Sequence, residues 1–372
     1  MKFNCEKEKL LIGLNSVIRT SVGRTTTPIL EGILLNVKKN NVILTTNDLD
    51  IGMEYTLNGI ETIEEGKVVV DCKMFGDIIR KLPNEQITFY INDKNLLVIE
   101  CEGSVYKLAT MNADEFPILP NIDVEKNITI SQGALKEMIK KTIFAVSVEE
   151  NRPIFTGCLI EVVNDELNVV AVDGFRLALR KARMASGVNA FSAIVPGKYL
   201  NEIVKNLQDI DDVIEIGISK NQALFELKDC KIVTRLLEGD FLNYNSVIPN
   251  EKKTRIKVNK QALQSAIERA AIFSISASEK EKKYPIKIFV SLGSIIISCT
   301  SQIGDAKEEV LVETTGEELE IGFNPKYLVD ALKAIEDDEV YFDFGSNISP
   351  CVIRPVIGDK FTYMVLPVRL KE

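Results

Sequence analysis

The chain contains no histidine in 372 residues. Without imidazole, neither a Ser/His/Asp nor a Cys/His nucleophile system can be assembled, and no histidine-ligated metal can exist. Phosphate-cradling loops are missing too. There is no Gly-x-x-x-x-Gly-Lys-Ser/Thr and no Gly-x-Gly-x-x-Gly after a strand, and Pro196-Gly197-Lys198 merely opens a helix. The seven cysteines (5, 72, 101, 158, 230, 299, 351) are far apart and form no Cys-x-x-Cys pair, a usage that suits reduced, buried thiols rather than disulfides or zinc. No apolar run is long enough to cross a bilayer. Met1-Lys2-Phe3-Asn4-Cys5-Glu6 runs straight into patterned sequence with no signal peptide, so a cytoplasmic protein without a membrane partner is expected. The 54 acidic residues are plentiful, but no carboxylate pair stands isolated in apolar sequence. A catalytic role is therefore the weaker expectation, and no cofactor or metal is implied.

What is present is one amphipathic helix written three times. Counting forward from Lys73, Lys198 and Lys326, apolar residues recur at the same five offsets: Met74, Phe75, Ile78, Ile79, Leu82; Tyr199, Leu200, Ile203, Val204, Leu207; Tyr327, Leu328, Ala331, Leu332, Ile335. At about 100° per residue these positions make one buried stripe almost opposite the lysine. A second base follows seven residues later, at Arg80, Lys205 and Lys333. Each helix is predicted to carry two stacked cations opposite its buried face. A single row would be ordinary solvation; three equivalent rows indicate one architectural unit used three times.

Length agrees, since a third of 372 is a normal domain size. Pro28-Ile29, Pro153-Ile154 and Pro285-Ile286 each open an apolar run, and Asp48 matches Asp173. The expected domains are 1–125, 126–250 and 251–372, with polar joins at Asn121 to Asn127 and Asn250 to Arg255. Each opens with a strand and an amphipathic helix. The first helix buries Leu10, Leu11, Leu14, Val17 and Ile18 and stops before Val22-Gly23-Arg24. In the second, Ser131 is the N-cap, Leu135, Met138, Ile139 and Ile143 are buried, and Lys136, Lys140 and Lys141 stay outside. In the third, Asn259 is the cap, Leu263, Ala266, Ile267 and Ala270 are buried, and Arg269 is exposed. Strands follow in every third, giving two helices on antiparallel sheet, an α+β arrangement.

Val170 to Ala178, Val195-Pro196-Gly197-Lys198, Gly239-Asp240-Phe241 leading to Val247-Ile248-Pro249, and terminal Leu366-Pro367-Val368-Arg369-Leu370 together resemble the bacterial DNA sliding clamps, the beta subunits of DNA polymerase III. The resemblance runs the full length. It implies three tandem clamp-type domains that close, as a head-to-tail homodimer, into a six-domain ring around double-stranded DNA. It also implies a non-catalytic processivity factor that tethers the replicative polymerase subunit, the clamp loader and other peptide-motif proteins. A net charge of −9 and a pI near 5.0 argue against ordinary DNA binding. A ring separates the signs, with acidic sheets outside and basic helices inside touching phosphates rather than bases. Arg24, Lys73, Arg80, Lys198, Lys205, Lys326 and Lys333 are the expected DNA-facing residues.

The resemblance further places a partner-peptide groove at Phe155, Val172, Gly174, Phe175, Arg176, Leu177, Pro249, Met364, Leu366, Pro367, Val368 and Arg369. For the dimer seam it sets Tyr106 and Leu108 of one subunit against Ile272 and Phe273 of the other. Where the family commonly has Thr-Asp-Gly-His-Arg, this chain reads Val172-Asp173-Gly174-Phe175-Arg176, a greasier groove, and Lys371 and Glu372 extend past the usual Arg-Leu ending. Two other classes remain: a monomeric peptide-binding scaffold, separated from the ring by its mass, and a carboxylate-dependent hydrolase, separated by metal-dependent turnover.

Overall fold

The computed structural model describes residues 1–21, 26–149, 151–184, 190–249, 251–274 and 284–370. Within them lie seven α-helices: α1 (Lys7–Val17), α2 (Cys72–Lys81), α3 (Gln132–Lys140), α4 (Gly197–Asn206), the single turn α5 (Tyr244–Val247), α6 (Lys260–Ala270) and α7 (Pro325–Lys333). Strands Lys2–Glu6, Lys126–Ser131 and Thr254–Asn259 lead into α1, α3 and α6, while α2, α4 and α7 are the thrice-written helix. Side-chain caps set several starts by satisfying amide donors that have no carbonyl within the helix. Met74 N–H donates to Asp71 at 2.6 Å, Ala134 N–H to Ser131 Oγ at 3.3 Å, and Ala262 N–H to Asn259 Oδ1 at 2.9 Å. The first helix stops before Val22-Gly23-Arg24 as expected: α1 ends at Val17 and a 3₁₀ turn (Ile18–Thr20) follows, while 22–24 themselves lie outside the described residues.

Most of the expected apolar stripe is buried, but Leu11, Ile18, Ile78 and Tyr327 are only half-buried, and other positions depart further. Met74 is 53% exposed, because it sits at the rim of the stripe and the sheet below is already filled by Phe75 and Ile79. Phe75 packs 6.1 Å from Phe89, which stacks on Phe3 at 4.6 Å. Lys141, expected outside, is buried. Its Nζ reaches Glu137 at 2.7 Å and Glu336 at 2.8 Å, and Arg180 holds Glu137 from the other side at 2.7 Å. A lysine survives burial only with such partners; helical periodicity cannot reveal a carboxylate some two hundred residues away. Lys136 and Ile143 are half-buried, the latter in a 3₁₀ turn (Ile143–Ala145) beyond the helix.

The sheets cross the joins between thirds. Contacts divide the chain into two units, Met1–Ala134 with Lys198–Leu236, and Leu135–Gly197 with Leu237–Glu372. In the first, thirteen strands make one antiparallel sheet, joined where Ile51–Asn58 pairs with Cys230–Arg235. The second holds a nine-stranded sheet, joined where Arg176–Arg183 pairs with Phe361–Val365, and a separate four-stranded sheet. The middle third is thus divided between two sheets. Within the described residues no helix is long and apolar enough to cross a membrane.

The repeat persists at atomic scale. Asp48 Oδ1 accepts the N–H groups of Asp50 and Ile51 at 2.9 and 2.6 Å, and Asp173 Oδ1 accepts those of Phe175 and Arg176 at 2.9 and 3.0 Å. The residue after each aspartate has positive φ, 76° at Leu49 and 92° at Gly174. Glycine takes that conformation without strain, and a leucine there is uncommon.

Candidate functional site

The cations come first. Lys73, Arg80, Lys198, Lys205, Lys326 and Lys333 are all exposed, whereas Arg24 lies outside the described residues. Four have acidic neighbours: Arg80 with Asp77 (3.4 Å), Lys205 with Glu202 (2.7 Å), Lys326 with Asp330, and Lys333 with Glu268 on α6 (3.1 Å). Solvent-exposed pairs of this kind hold roughly 0–1 kcal/mol each, so an incoming phosphate can compete for the base. Lys73 has no ion pair among the described residues, and Lys198 Nζ lies 4.4 Å from the Tyr199 ring.

The residues assigned to the groove fall into three layers. Val172, Leu177 and Met364 are buried in one apolar cluster with Leu159, Val170, Tyr244 and Val352, on which Ile154, Phe241, Val247 and Ile248 pack. Their exposures are only 4%, 1% and 6%. Above them the loop 173–176 carries exposed Gly174 and Phe175, the latter stacked on Tyr327 at 6.2 Å. The tail supplies half-buried Leu366 and Pro367 and exposed Val368 and Arg369. It is stitched down by two backbone bonds of 2.8 Å, Leu366 N–H to the Phe175 carbonyl and Val368 N–H to the Gly322 carbonyl. A side chain at Gly322 would collide with Leu370 and the Val368 carbonyl, so only glycine lets the tail lie this close.

Arg176 sits underneath the surface at 8% exposure. Nε donates to Asp173 at 2.9 Å and Nη1 to Asp330 at 2.6 Å, while the guanidinium lies between the rings of Tyr327 (4.7 Å) and Phe144 (5.5 Å). It braces the loop against α7. Burial acting alone would raise the Asp330 carboxyl pKa, but hydrogen bonds from Lys326 and Arg176 outweigh it and hold the group below its ordinary value.

Phe155 and Pro249 are not members of that cluster but adjoin residues that belong to it or pack on it. Phe155 lines an apolar cavity of about 420 Å³ with Ile154, Pro153, Arg152, Asp240 and Leu242. Phe241 meets it edge-on at 6.3 Å. Sequence reasoning missed Arg152, Ile154 and Leu242. Ile154 was legible only within the repeated Pro-Ile landmark, and Leu242 only within the Gly239-Asp240-Phe241 stretch that closes a domain. A larger cavity, about 610 Å³, lies around Asn168, Lys181 and Tyr244, and its lining is mainly polar and charged, with Val163 and Met184 as its aliphatic members.

The residues expected at a dimer seam lie on or beside two open sheet edges. Strand Ser104–Met111 pairs along its length with Leu96–Cys101, but on its other side only Thr110 and Met111 are paired, with Val70 and Val69. Tyr106 is exposed there and Leu108 half-buried. Gly304–Leu311 pairs with Ser294–Ser301 alone among the described residues. Phe273 packs against Gly304, next to 63%-exposed Ile272.

Comparison with known proteins agrees along the whole chain. Models of the DNA polymerase III beta subunit match in order: its N-terminal domain at residues 1–120, its central domain at 129–243 and its C-terminal domain at 245–369. The chain is similar to the beta sliding clamp of Bacillus subtilis (34% identical, 99% of this chain and 100% of the relative) and to that of Staphylococcus epidermidis RP62A (34% identical, 99% of each). Among solved structures, the Bacillus subtilis DNA polymerase sliding clamp matches with TM-score 0.94 at 34% identity, and the Pseudomonas aeruginosa clamp bound to griselimycin with TM-score 0.94 at 29%, each covering all of both chains. The chain therefore belongs to the DNA polymerase III beta subunit family, the bacterial sliding clamps.

Proposed function

We propose that two copies of this chain close head to tail into a ring of six domains, three per subunit at 1–125, 126–250 and 251–372. The ring encircles duplex DNA in the cytoplasm. It holds the DNA topologically, tethers the replicative polymerase and other partners through the groove beside Phe175 and Leu366, and catalyses nothing. The six described cations face the phosphates.

The observation that carries the ring is the repeated seam. At each join inside the chain, the same strand of one third pairs with the same strand of the next: Met53 lies opposite Ile232, and Ala178 opposite Tyr363. Following the ladders through each third makes Ala306 the equivalent of Met53 and Ala178, and Tyr106 the equivalent of Ile232 and Tyr363. The strands holding Ala306 and Tyr106 are those whose edges are open. A third seam of the same kind needs a second copy. Its register sets Tyr106 opposite Ala306 of the partner subunit and Lys107 opposite Asp305 of the partner subunit, a cross-strand pair of opposite charge. Two subunits then close the circle if each third spans one sixth of it.

The test is a Tyr106→Cys, Ala306→Cys double variant, oxidised after loading onto DNA. The expected result is a covalent closed dimer that stays on nicked circular DNA through denaturant and slides off a linear fragment. Equal retention on both DNAs, or no cross-link despite a dimeric mass, would sink the ring with this register.

A further inference from the structure

The floor of the groove continues sideways into charge. Cross-strand partners on one face of the nine-stranded sheet run Val172, Leu177, Met364, Val352, Asp343, Arg255. Four apolar residues thus end in an ion pair, with Arg255 clamping Asp343 through Nε and Nη2. Beside that pair is a cavity of about 170 Å³, walled by Pro249 and Val352 and lined by Lys252, Arg255, Arg354 and Asp343, with Glu251 at its edge.

The lining carries three cations against two carboxylates. Asp343 is buried and already shared by two arginines, Arg354 Nε being 3.5 Å from it, and Arg354 Nη1 donates to Thr362. That leaves Arg255 Nη1, Arg354 Nη2 and Lys252 Nζ without an acceptor among the described residues. A small cavity lined by residues that carry free donors, with positive charge in excess, suits an anion.

We propose that this cavity is an anion subsite of the groove and takes a carboxylate side chain of the docked peptide. The proposal rests on the peptide groove proposed above. The cavity shares Val352 with the cluster that holds Val172, Leu177 and Met364. Three strand spacings separate Met364 from Arg255, about 14 Å, so the acidic residue stands at least about four extended residues from the apolar anchors.

The experiment is fluorescence anisotropy with the whole dimer and labelled short peptides carrying a Leu-Phe anchor and, four or more residues away, either Asp or its Asn counterpart. The Asp peptide is expected to bind wild type about threefold or more tighter, a margin erased by salt at about 0.5 M. Lys252→Glu and Arg354→Gln remove that margin and leave the Asn peptide unchanged, while Arg255 stays intact to hold Asp343. No advantage of Asp over Asn in wild type, or an equal loss of both peptides in the variants, overturns the proposal. Leu366→Ala separates the two readings. If it leaves the Asp peptide's affinity unchanged and inorganic phosphate competes for the site, the groove reading fails and the cavity is a free anion site.

Discussion

At the residue scale, Arg176 changes character between sequence and structure. The motif makes it a peptide contact, but its guanidinium is shared by Asp173 and Asp330 and lies between two aromatic rings. Removing it leaves Asp173 without a cation and Asp330 with Lys326 alone, and breaking such a buried pair costs roughly 3 kcal/mol. Arg176→Ala should therefore lower the melting temperature clearly as well as weaken peptide binding, whereas Leu366→Ala should weaken peptide binding about tenfold with melting close to wild type. An unchanged melting curve for Arg176→Ala would show that its pairs carry no stability. Deleting 364 onward is a poor substitute for either, because Met364 and Val365 belong to a strand paired on both sides. The cysteines make a second prediction at this scale. All seven are buried, and burial pushes the thiols of Cys72 and Cys158 up to about 12. Only thiolate reacts, so at pH 8 the native protein should resist a thiol reagent and the unfolded protein should titrate fully. Rapid labelling of the folded protein would contradict this.

At the element scale, the cation rows act together. Each exposed lysine or arginine is screened over about 10 Å at 0.1 M salt, so single substitutions should be nearly silent. Reversing Arg80, Lys198, Lys205 and Lys333 together should impair loading and processive synthesis. The fold should survive, since all four are exposed and each lost surface pair holds at most about 1 kcal/mol. Normal synthesis by the quadruple variant, with its dimer intact, would remove these helices from the DNA-facing surface. The edge strands are the other functional elements. A long unpaired edge is an aggregation hazard unless something covers it, and the proposed ring covers each edge strand with the other one from the second copy, Ser104–Met111 against Gly304–Leu311.

For the whole molecule, the measurable quantities are mass and salt dependence. Light scattering should report twice 41.5 kDa, and Leu108→Asp, which puts a charge at the seam, should shift the protein toward 41.5 kDa. A wild-type monomer at micromolar concentration would defeat the ring. Direct ionic binding weakens steeply with salt through counterion release. A closed ring on circular DNA should instead stay bound at salt that strips an unlinked protein, which reconciles a chain of net charge −9 with a DNA partner.

Sequence alone determined the threefold repeat, the identity of the paired helices and their exposed cations, because these depend on local period: 3.6 residues per turn writes its buried face directly into residue order. It likewise carried the family resemblance, and with it the loop and tail proposed to border the groove. Tertiary structure decided what depends on partners distant in the chain. Lys141 is buried because Glu336 meets it, Met74 is exposed because its neighbours already fill the sheet, and Val172, Leu177 and Met364 are buried because residues of the 237–248 segment pack against them. The sheet joins are also tertiary: alternation shows which face of a strand is buried, but its edges carry only backbone N–H and C=O groups, which every residue type except proline presents alike.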